Sequence, residues 1–320
     1  MKWLSLLTNE WIKTFSRMRT WFFLAIPVLI IIGVAVYDKV TVDETDHANW
    51  KQELQVQIDN DKKELAEMKK ADNDAPDSYT DYLETEIEKN EYMIKNDISP
   101  YEGTTWQFMK DMAPISSLIG LFVIVVASDI VSSEFSKGTI KMLLIRPYSR
   151  WKILLSKLLA TLGFAFVMWI VVIAASWLVG GLAYGFGGMD QTYFVNADGQ
   201  MKEKLLVEYV FTNIGLEFIE LAVVVALCFM ISTLFMSNSV AIGVAMFTMF
   251  AGNTIVMLLA AKKWIIYSLF ANMDLTHLID GQNQVIEGLS LPFSISMLAI
   301  YTAIFLAITF MVFQKRDVKA

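Results

Sequence analysis

Residue types that could do nucleophilic, acid–base or metal chemistry are sparse in this 320-residue chain. It has two histidines, His47 and His277, and one cysteine, Cys228. There is no H-E-x-x-H pair and no Cys/His cluster with the spacing that holds zinc. Cys228 lies within an apolar run, where a thiol packs as a small hydrophobe. His277, in "NMDLTHLIDG", has Asp274 and Asp280 beside it; it reads first as a surface histidine and second as a metal or proton site. A nucleotide-binding P-loop needs G-x-x-x-x-G-K-[ST] so that backbone amides cradle phosphates. "SKGT" around Gly138 has the wrong order. The expectation is a chain that is not an enzyme, with no metal and no cofactor of its own. A lone cysteine also leaves no intrachain disulfide to staple any part outside the membrane.

Polar side chains inside apolar runs are the remaining candidates, because burying them in hydrocarbon is costly and is kept for function. Asn213, Glu217 and Glu220 are spaced by 4 and 3 and share one helix face. Asn253 lies deep in another run. These four are candidates for a translocation path, and the acids also for pairing with Lys204, Lys262 or Lys263. The alternative is that they mark the headgroup boundary. Asp129 lies near the inner end of its run. Gly181 and Gly185 form a G-x-x-x-G that either permits close helix packing or marks a turn.

The elements that must position these residues are apolar. The chain is 55% hydrophobic with a mean hydropathy of +0.48. A spanning helix needs roughly 20 mostly apolar residues. Six runs qualify: 21–37, 114–131, 158–184, 218–235, 240–261 and 293–313. Only "MSNS" separates the fourth and fifth, which predicts a tight helical hairpin. The net charge of −7 is unevenly spread. Residues 38–110 carry 19 acidic and 9 basic side chains, a balance of −10; the other 14 acidic and 17 basic residues give +3. Within 38–110, Leu54, Ile58, Asp61, Leu65 and Met68 repeat at heptad spacing, as do Leu83, Ile87, Asn90 and Ile94. "ADNDAPDS" between them is a turn. The fold class expected is an all-α membrane protein. It has six transmembrane helices, an N-terminal amphipathic interfacial helix and an extracellular antiparallel helical hairpin between the first and second spans. The corresponding divisions are 1–20, 21–37, 38–110 and 111–320. The acidic hairpin suits either a basic ligand or no ligand at all.

Orientation follows from Lys and Arg near the span ends. The N-terminal segment, the loop 132–157 and the tail "QKRDVKA" are basic and fall on one side of a six-span chain. Both termini are therefore expected in the cytoplasm of a cell-membrane protein, with Lys262 and Lys263 as exceptions outside. The N-terminal segment places Trp3, Leu4, Leu7, Trp11 and Phe15 on one stripe, as an interfacial helix would.

The stretch "SSEFSKGTIKMLLIRPYSRWKILLSKLLA" holds six basic residues and one acid, Glu134. Ser132 or Ser133 suits a helix cap, with Glu134 in the first turn. Ile140, Leu143 and Leu144 share an apolar face, Pro147 turns the chain, and Ser149 suits the cap of a helix starting near Arg150. An amphipathic surface helix followed by a sharp turn is expected. Physical reasoning alone leaves it either a basic loop on anionic lipid or a docking helix.

The pattern Glu134, Gly138-Thr139, Leu143-Leu144, Pro147, Ser149-Arg150 and Ile153-Leu154 with Lys157 resembles the ABC-2 family of ABC transporter permeases. The resemblance covers the membrane part of the chain. It implies a coupling helix between the second and third spans, with Glu134, Gly138, Thr139, Pro147 and Arg150 as coupling residues. It also implies an N-terminal connecting helix and six spans with both termini inside. Tyr148 departs from the small apolar residue common there. The function implied is that of the multi-pass permease subunit of an ATP-driven exporter. A separate ABC ATPase subunit would bind ATP and Mg2+, and a second permease copy or a paralogue would complete the pair. Membrane lipid is the other expected partner; nucleic acid is not one. The competing reading is a non-transporting membrane sensor or scaffold whose hairpin binds a ligand or partner.

Overall fold

The computed structural model describes residues 2–41, 49–70, 77–97, 99, 103–140, 148–197, 200–260, 262–280, 286 and 288–316. Helices dominate, as they must where no water can satisfy backbone amides and carbonyls. They are α1 (Lys2–Phe15), α2 (Met18–Thr41), α3 (Trp50–Lys70), α4 (Asp77–Asn96), α5 (Thr105–Asp111), α6 (Ile115–Ser136), α7 (Arg150–Tyr184), α8 (Leu206–Leu234), α9 (Asn238–Leu259), α10 (His277–Asp280) and α11 (Leu291–Lys315). Six of them, α2, α6, α7, α8, α9 and α11, are long and apolar enough to cross a bilayer. The chain is a multi-pass membrane protein.

The six are not equivalent. Residues buried inside the protein make up 61% of the most apolar window of α6 and 56% of that of α8, against 22% or less for α2, α9 and α11. So α6 and α8 form the centre of the bundle, and the other three leave most of their apolar surface uncovered by the rest of the chain. Small polar residues let the central pair approach closely. The Ser232 hydroxyl donates to Ser128 O at 2.6 Å and accepts from the Val131 and Ser132 amides at 3.1 and 3.0 Å. One hydroxyl thereby uses its donor and both acceptor positions across a helix contact.

The helix α7 has 35 residues and is about 52 Å long at 1.5 Å per residue. It therefore overshoots a hydrocarbon core of about 30 Å. It starts at Arg150, eight residues before its apolar run, with Ser149 at the cap position but without a side-chain cap bond. It ends at Gly185, which has a φ of +86°. This glycine terminates the helix, so the Gly181/Gly185 pair marks a turn and not a helix-packing seam; Phe186 folds back over Gly181.

Two sequence expectations need correction. Ser132 and Ser133 do not begin a helix: α6 runs through them to Ser136. The Ser132 hydroxyl returns to Ser128 O at 2.6 Å, a bond made inside a continuing helix and not at a cap. Glu134 is thus in the last turn of α6. The connection between α7 and α8 is not wholly loop and helix either. Strands β1 (Thr192–Ala197) and β2 (Gln200–Leu205) form an antiparallel hairpin, with Thr192 opposite Leu205. Tyr193 packs on Tyr209 of α8 with ring centroids 4.2 Å apart.

The helices α3 and α4 lie antiparallel, joined by ion pairs Lys51–Asp97 and Lys62–Glu91 and a Tyr79–Glu64 hydrogen bond. Leu54, Ile58, Leu83 and Ile87 fill the seam. Asn90 is buried there too. Partial burial, with Glu64 and Glu86 adding negative charge, pushes the Asp61 carboxyl above its ordinary range. Charge on Asp61 therefore works against this seam.

Candidate functional site

One end of the bundle gathers α1, the end of α6 and the start of α7. In α1, Leu6, Glu10 and Thr14 repeat at i, i+4 and form the buried face. Leu7, Trp11 and Phe15 pack beside them, half-buried, while Leu4 and Ile12 point away. The face closes on α7 because Gly163 has no side chain there: a Cβ would lie 2.1 Å from Cζ3 of Trp11. An acid on the buried face needs a cation, since an unpaired buried charge is heavily penalised. Lys157 of α7 supplies it. Its side chain is 1% exposed, and its ammonium lies 2.8 Å from Glu10 Oε2 and 3.2 Å from Glu134 Oε1. Lys13 closes the ring at 3.1 Å from Glu134 and 3.5 Å from Glu10. Two lysines and two glutamates thus neutralise one another and tie three helices together.

The turn after α6 belongs to the same cluster. Gly138 adopts a φ of +71°, the left-handed conformation that ends a helix without the penalty a Cβ would bring. The chain reverses there, and the Thr139 hydroxyl comes back to donate to the Glu134 carboxylate. Ile140 then enters the core, 3% exposed. This is a physical reason for the Glu-Gly-Thr spacing: the glycine turns the chain, and the threonine fixes the carboxylate that receives Lys157.

A second ion cluster lies deeper. Asp129 of α6 is buried and accepts from both Arg17 and Arg19, on either side of the α1–α2 turn. Arginines also stitch helix ends. Arg150 Nη1 donates to Gln314 O at 3.0 Å and Arg316 O at 2.9 Å. Arg316 in turn donates to Thr233 O and, at 2.9 Å, to Leu234 O at the end of α8, while stacking on Phe135. Cations at carbonyl ends of helices satisfy orphan acceptors and suit the dipole. The start of α7 is therefore bonded to the ends of α11 and α8 as well as to α1 and α6.

Of the candidate coupling residues, Glu134, Gly138, Thr139 and Arg150, implied by the resemblance, and Ile140 of the apolar face lie at this end. Leu143, Leu144 and Pro147 lie outside the described residues. The path candidates divide. Asn213 and Glu217 line a cavity of about 50 Å³ at the opposite end of the bundle, between α5 and the spans α6, α7 and α8. Glu220, one turn further, accepts from the Leu275 amide at 2.6 Å and so anchors the segment after α9. Asn253 is exposed on α9 and does not line that cavity. Among the described residues, no ion pair joins Glu217 or Glu220 to Lys204, Lys262 or Lys263, and no group of His, Cys, Asp and Glu could hold a metal.

Sequence reasoning missed Glu10 and gave Lys157 no partner. The available signal was Glu10 itself, the sole acid of α1, four residues from Leu6 and next to Trp11 in the apolar stripe. Its partner is 147 residues away, beyond any local pattern.

Comparison with known proteins bears on kinship. The chain is 38% identical over 319 residues to the "Uncharacterized protein YhcI" of Bacillus subtilis (strain 168), covering 98% of this chain and 99% of that one. It is 32% identical over 207 residues to the "Uncharacterized membrane protein YdbK" of the same organism, covering 64% of this chain and 80% of that one. Residues 83–319 match the model of a family described as "Protein of unknown function (DUF2705)". By that match, which takes in every span after the first, the chain belongs to the DUF2705 family.

Proposed function

We propose that this chain is the permease subunit of an ATP-driven exporter of the ABC-2 type. It would work with a separate ATPase subunit that binds ATP and Mg2+, and with a second permease copy or a paralogue. The observation that carries the reading is the Glu10–Lys157–Glu134 clasp. It joins the two segments that the family resemblance assigns to the ATPase, the N-terminal helix and the turn after α6. A force on the connection between α6 and α7 then moves α1, α6 and α7 together, since separating them would strand buried charges. Ser232 and Arg316 pass the displacement to α8. A loop that only touched anionic lipid would need neither the buried lysine nor the Gly138 turn. Transport runs outward, from the cytoplasm or the inner leaflet.

The clasp end is cytoplasmic in this reading, because Lys13, Arg17, Arg19, Lys137, Arg150, Lys152 and Arg316 concentrate there. The N-terminal helix rests in the interface with Leu4 and Ile12 toward lipid, and the α3–α4 hairpin stands outside the cell. On α9, exposed Phe247, Phe250 and Asn253 form the face for the second permease, where the amide escapes hydrocarbon. Cysteines test the orientation. On intact cells, an impermeant thiol reagent is expected to label Glu64→Cys and leave Lys137→Cys unreacted; the reverse pattern would refute the topology.

Leu143→Asp combined with Leu144→Asp tests the coupling. An apolar side chain buried in a partner's groove contributes about 1.5–3 kcal/mol, whereas a lysine near an anionic surface contributes about 1 kcal/mol. The double variant is expected to insert normally, lose its ATPase on co-purification in detergent and stop transport. Lys137→Gln with Lys141→Gln has a milder effect. Retention of the ATPase by the double Asp variant, or failure of any ATPase to co-purify with the wild type, would sink the reading.

A further inference from the structure

The segment after α9 has more structure than a plain connection between two spans needs. The start of α9 lies at the clasp end, where Asn238 Oδ1 accepts from the Ser132 hydroxyl at 3.5 Å, so its end at Leu259 lies at the opposite end. The chain does not leave the bundle there. Lys263–Tyr267 and Phe270–Asn272 form two short 3-10 turns that fold back along α9. Gly252, seven residues before the end of α9, admits the Phe270 ring: a Cβ there would lie 2.3 Å from it. Seven residues are about 10 Å of helix, so the segment descends about two turns beside the span. The Asn272 amide donates to Ile266 O and Ser268 O, both at 2.7 Å. The Tyr301 hydroxyl of α11 donates to Tyr267 O at 2.7 Å. Ile265 is buried beneath, in one apolar cluster with Ala271 and Ile286.

This packing leaves four neighbouring side chains on the outside. Trp264 and Tyr267 are 58% and 56% exposed, and Lys262 and Lys263 are exposed as well. Tyr267 is nonetheless held, edge-on to Phe293 with ring centroids 5.9 Å apart. Among the described residues no carboxylate pairs with either lysine. The 22 residues of α9 are about 33 Å long, close to a hydrocarbon core of about 30 Å. Lys262 and Lys263, just past its end, therefore stand at headgroup level. Trp and Tyr at that level place their apolar bodies against the acyl boundary and their polar tips among the headgroups. Two ammonium groups beside them face lipid phosphates. A phospholipid with net negative charge complements both. Phosphatidylcholine, which carries its own cation, gains less.

We propose that Lys262, Lys263, Trp264 and Tyr267 form a binding site for an anionic phospholipid in the leaflet opposite the clasp, with its phosphate on the two lysines and its glycerol backbone against the two rings. The occupant is a lipid and not a soluble anion because the rings stand where acyl chains begin. The site does not depend on the permease reading, and it gives a role to the two lysines that depart from the charge pattern of the other span ends.

A local readout is needed, because basic residues at the clasp end also attract anionic lipid. Tyr267→p-benzoylphenylalanine keeps an aromatic ring at the site and crosslinks what lies against it on irradiation. The full chain carrying it is placed in nanodiscs of equal parts phosphatidylglycerol and phosphatidylcholine, and adducts on the peptide containing residue 267 are identified by mass spectrometry. A lysine near an anionic surface strengthens binding about fivefold, so the two should enrich phosphatidylglycerol roughly 25-fold over phosphatidylcholine. The enrichment should shrink in 1 M salt, where the Debye length falls to about 3 Å. Lys262→Gln with Lys263→Gln should return the adducts to the bulk lipid ratio at an unchanged melting temperature, since both side chains are exposed. If the double variant melts lower, Lys263→Gln alone should still cut the enrichment about fivefold. Adducts of the wild-type lysine pair in the bulk ratio, enrichment that survives in the double variant, or crosslinking to a second copy of the chain in place of lipid would overturn the site.

Discussion

Replacing Lys157 with Met should destabilise the protein by about 3–5 kcal/mol, the usual cost of removing one partner from a buried ion pair. Methionine nearly preserves the stem and its packing, so the loss comes from charge. The Glu10 and Glu134 carboxylates, 6% and 12% exposed, would be left with Lys13 alone, and the Lys13 side chain is 40% exposed. Exposure weakens an ion pair through solvent screening and side-chain entropy, so Lys13 offsets little. Thermal unfolding in detergent is the measurement, with insertion checked separately. The triple variant Lys157→Met, Glu10→Gln, Glu134→Gln removes the stranded charges and is expected to regain most of the lost stability. If it does so but does not recover ATPase coupling, the clasp acts in force transmission as well as in folding. If Lys157→Met unfolds at the wild-type temperature, the buried cluster contributes nothing and the proposal that three helices move as one fails with it.

How much of this was legible in sequence depends on the reach of each signal. The six spans were, because an apolar run is a local property. The α3–α4 seam was legible in part: Leu54, Ile58, Leu83, Ile87 and Asn90 keep heptad spacing and are buried, whereas Asp61, Leu65, Met68 and Ile94 of the expected seam are only half-buried. The start of α7 near Arg150, after Ser149, was legible as well, although the apolar run itself begins eight residues later because Arg150, Lys152 and Lys157 interrupt it. Their long stems pack along a helix surface as well as aliphatic side chains do. Lys157 is the extreme case. Counted in sequence it is one of six charges in a basic loop, yet it is among the most buried large side chains of the protein. Likewise, Asn213 and Asn253 look alike as amides in apolar runs. One lines a cavity and the other faces outward, a difference set by neighbours from other helices.

The docking of α1 on α7 makes the second large prediction. Gly163 faces the Trp11 indole so closely that a Cβ would lie within 2.1 Å of one ring carbon and 3.0 Å of the next. The obstacle is a rigid ring, itself packed on Phe15 with centroids 4.9 Å apart, so it cannot yield by a small rotamer change. Gly163→Ala therefore requires α1 to move, and overpacking of this kind costs about 1–3 kcal/mol. Gly163→Leu adds three more carbons at the same contact and should detach the helix. Detachment withdraws Glu10 from Lys157, so the larger variant combines the steric cost with a broken buried ion pair and should approach the loss expected of Lys157→Met. Trp11→Ala frees space at the ring's position, and on its own it is destabilising because it leaves a void. In the Gly163→Leu background it is expected to be compensating, giving a favourable coupling in a double-mutant cycle. Measured melting temperatures of the wild type, both single variants and the double variant supply that cycle. Simple additivity would mean that Trp11 and Gly163 are not in contact, and the placement of the N-terminal helix against the third span would be wrong.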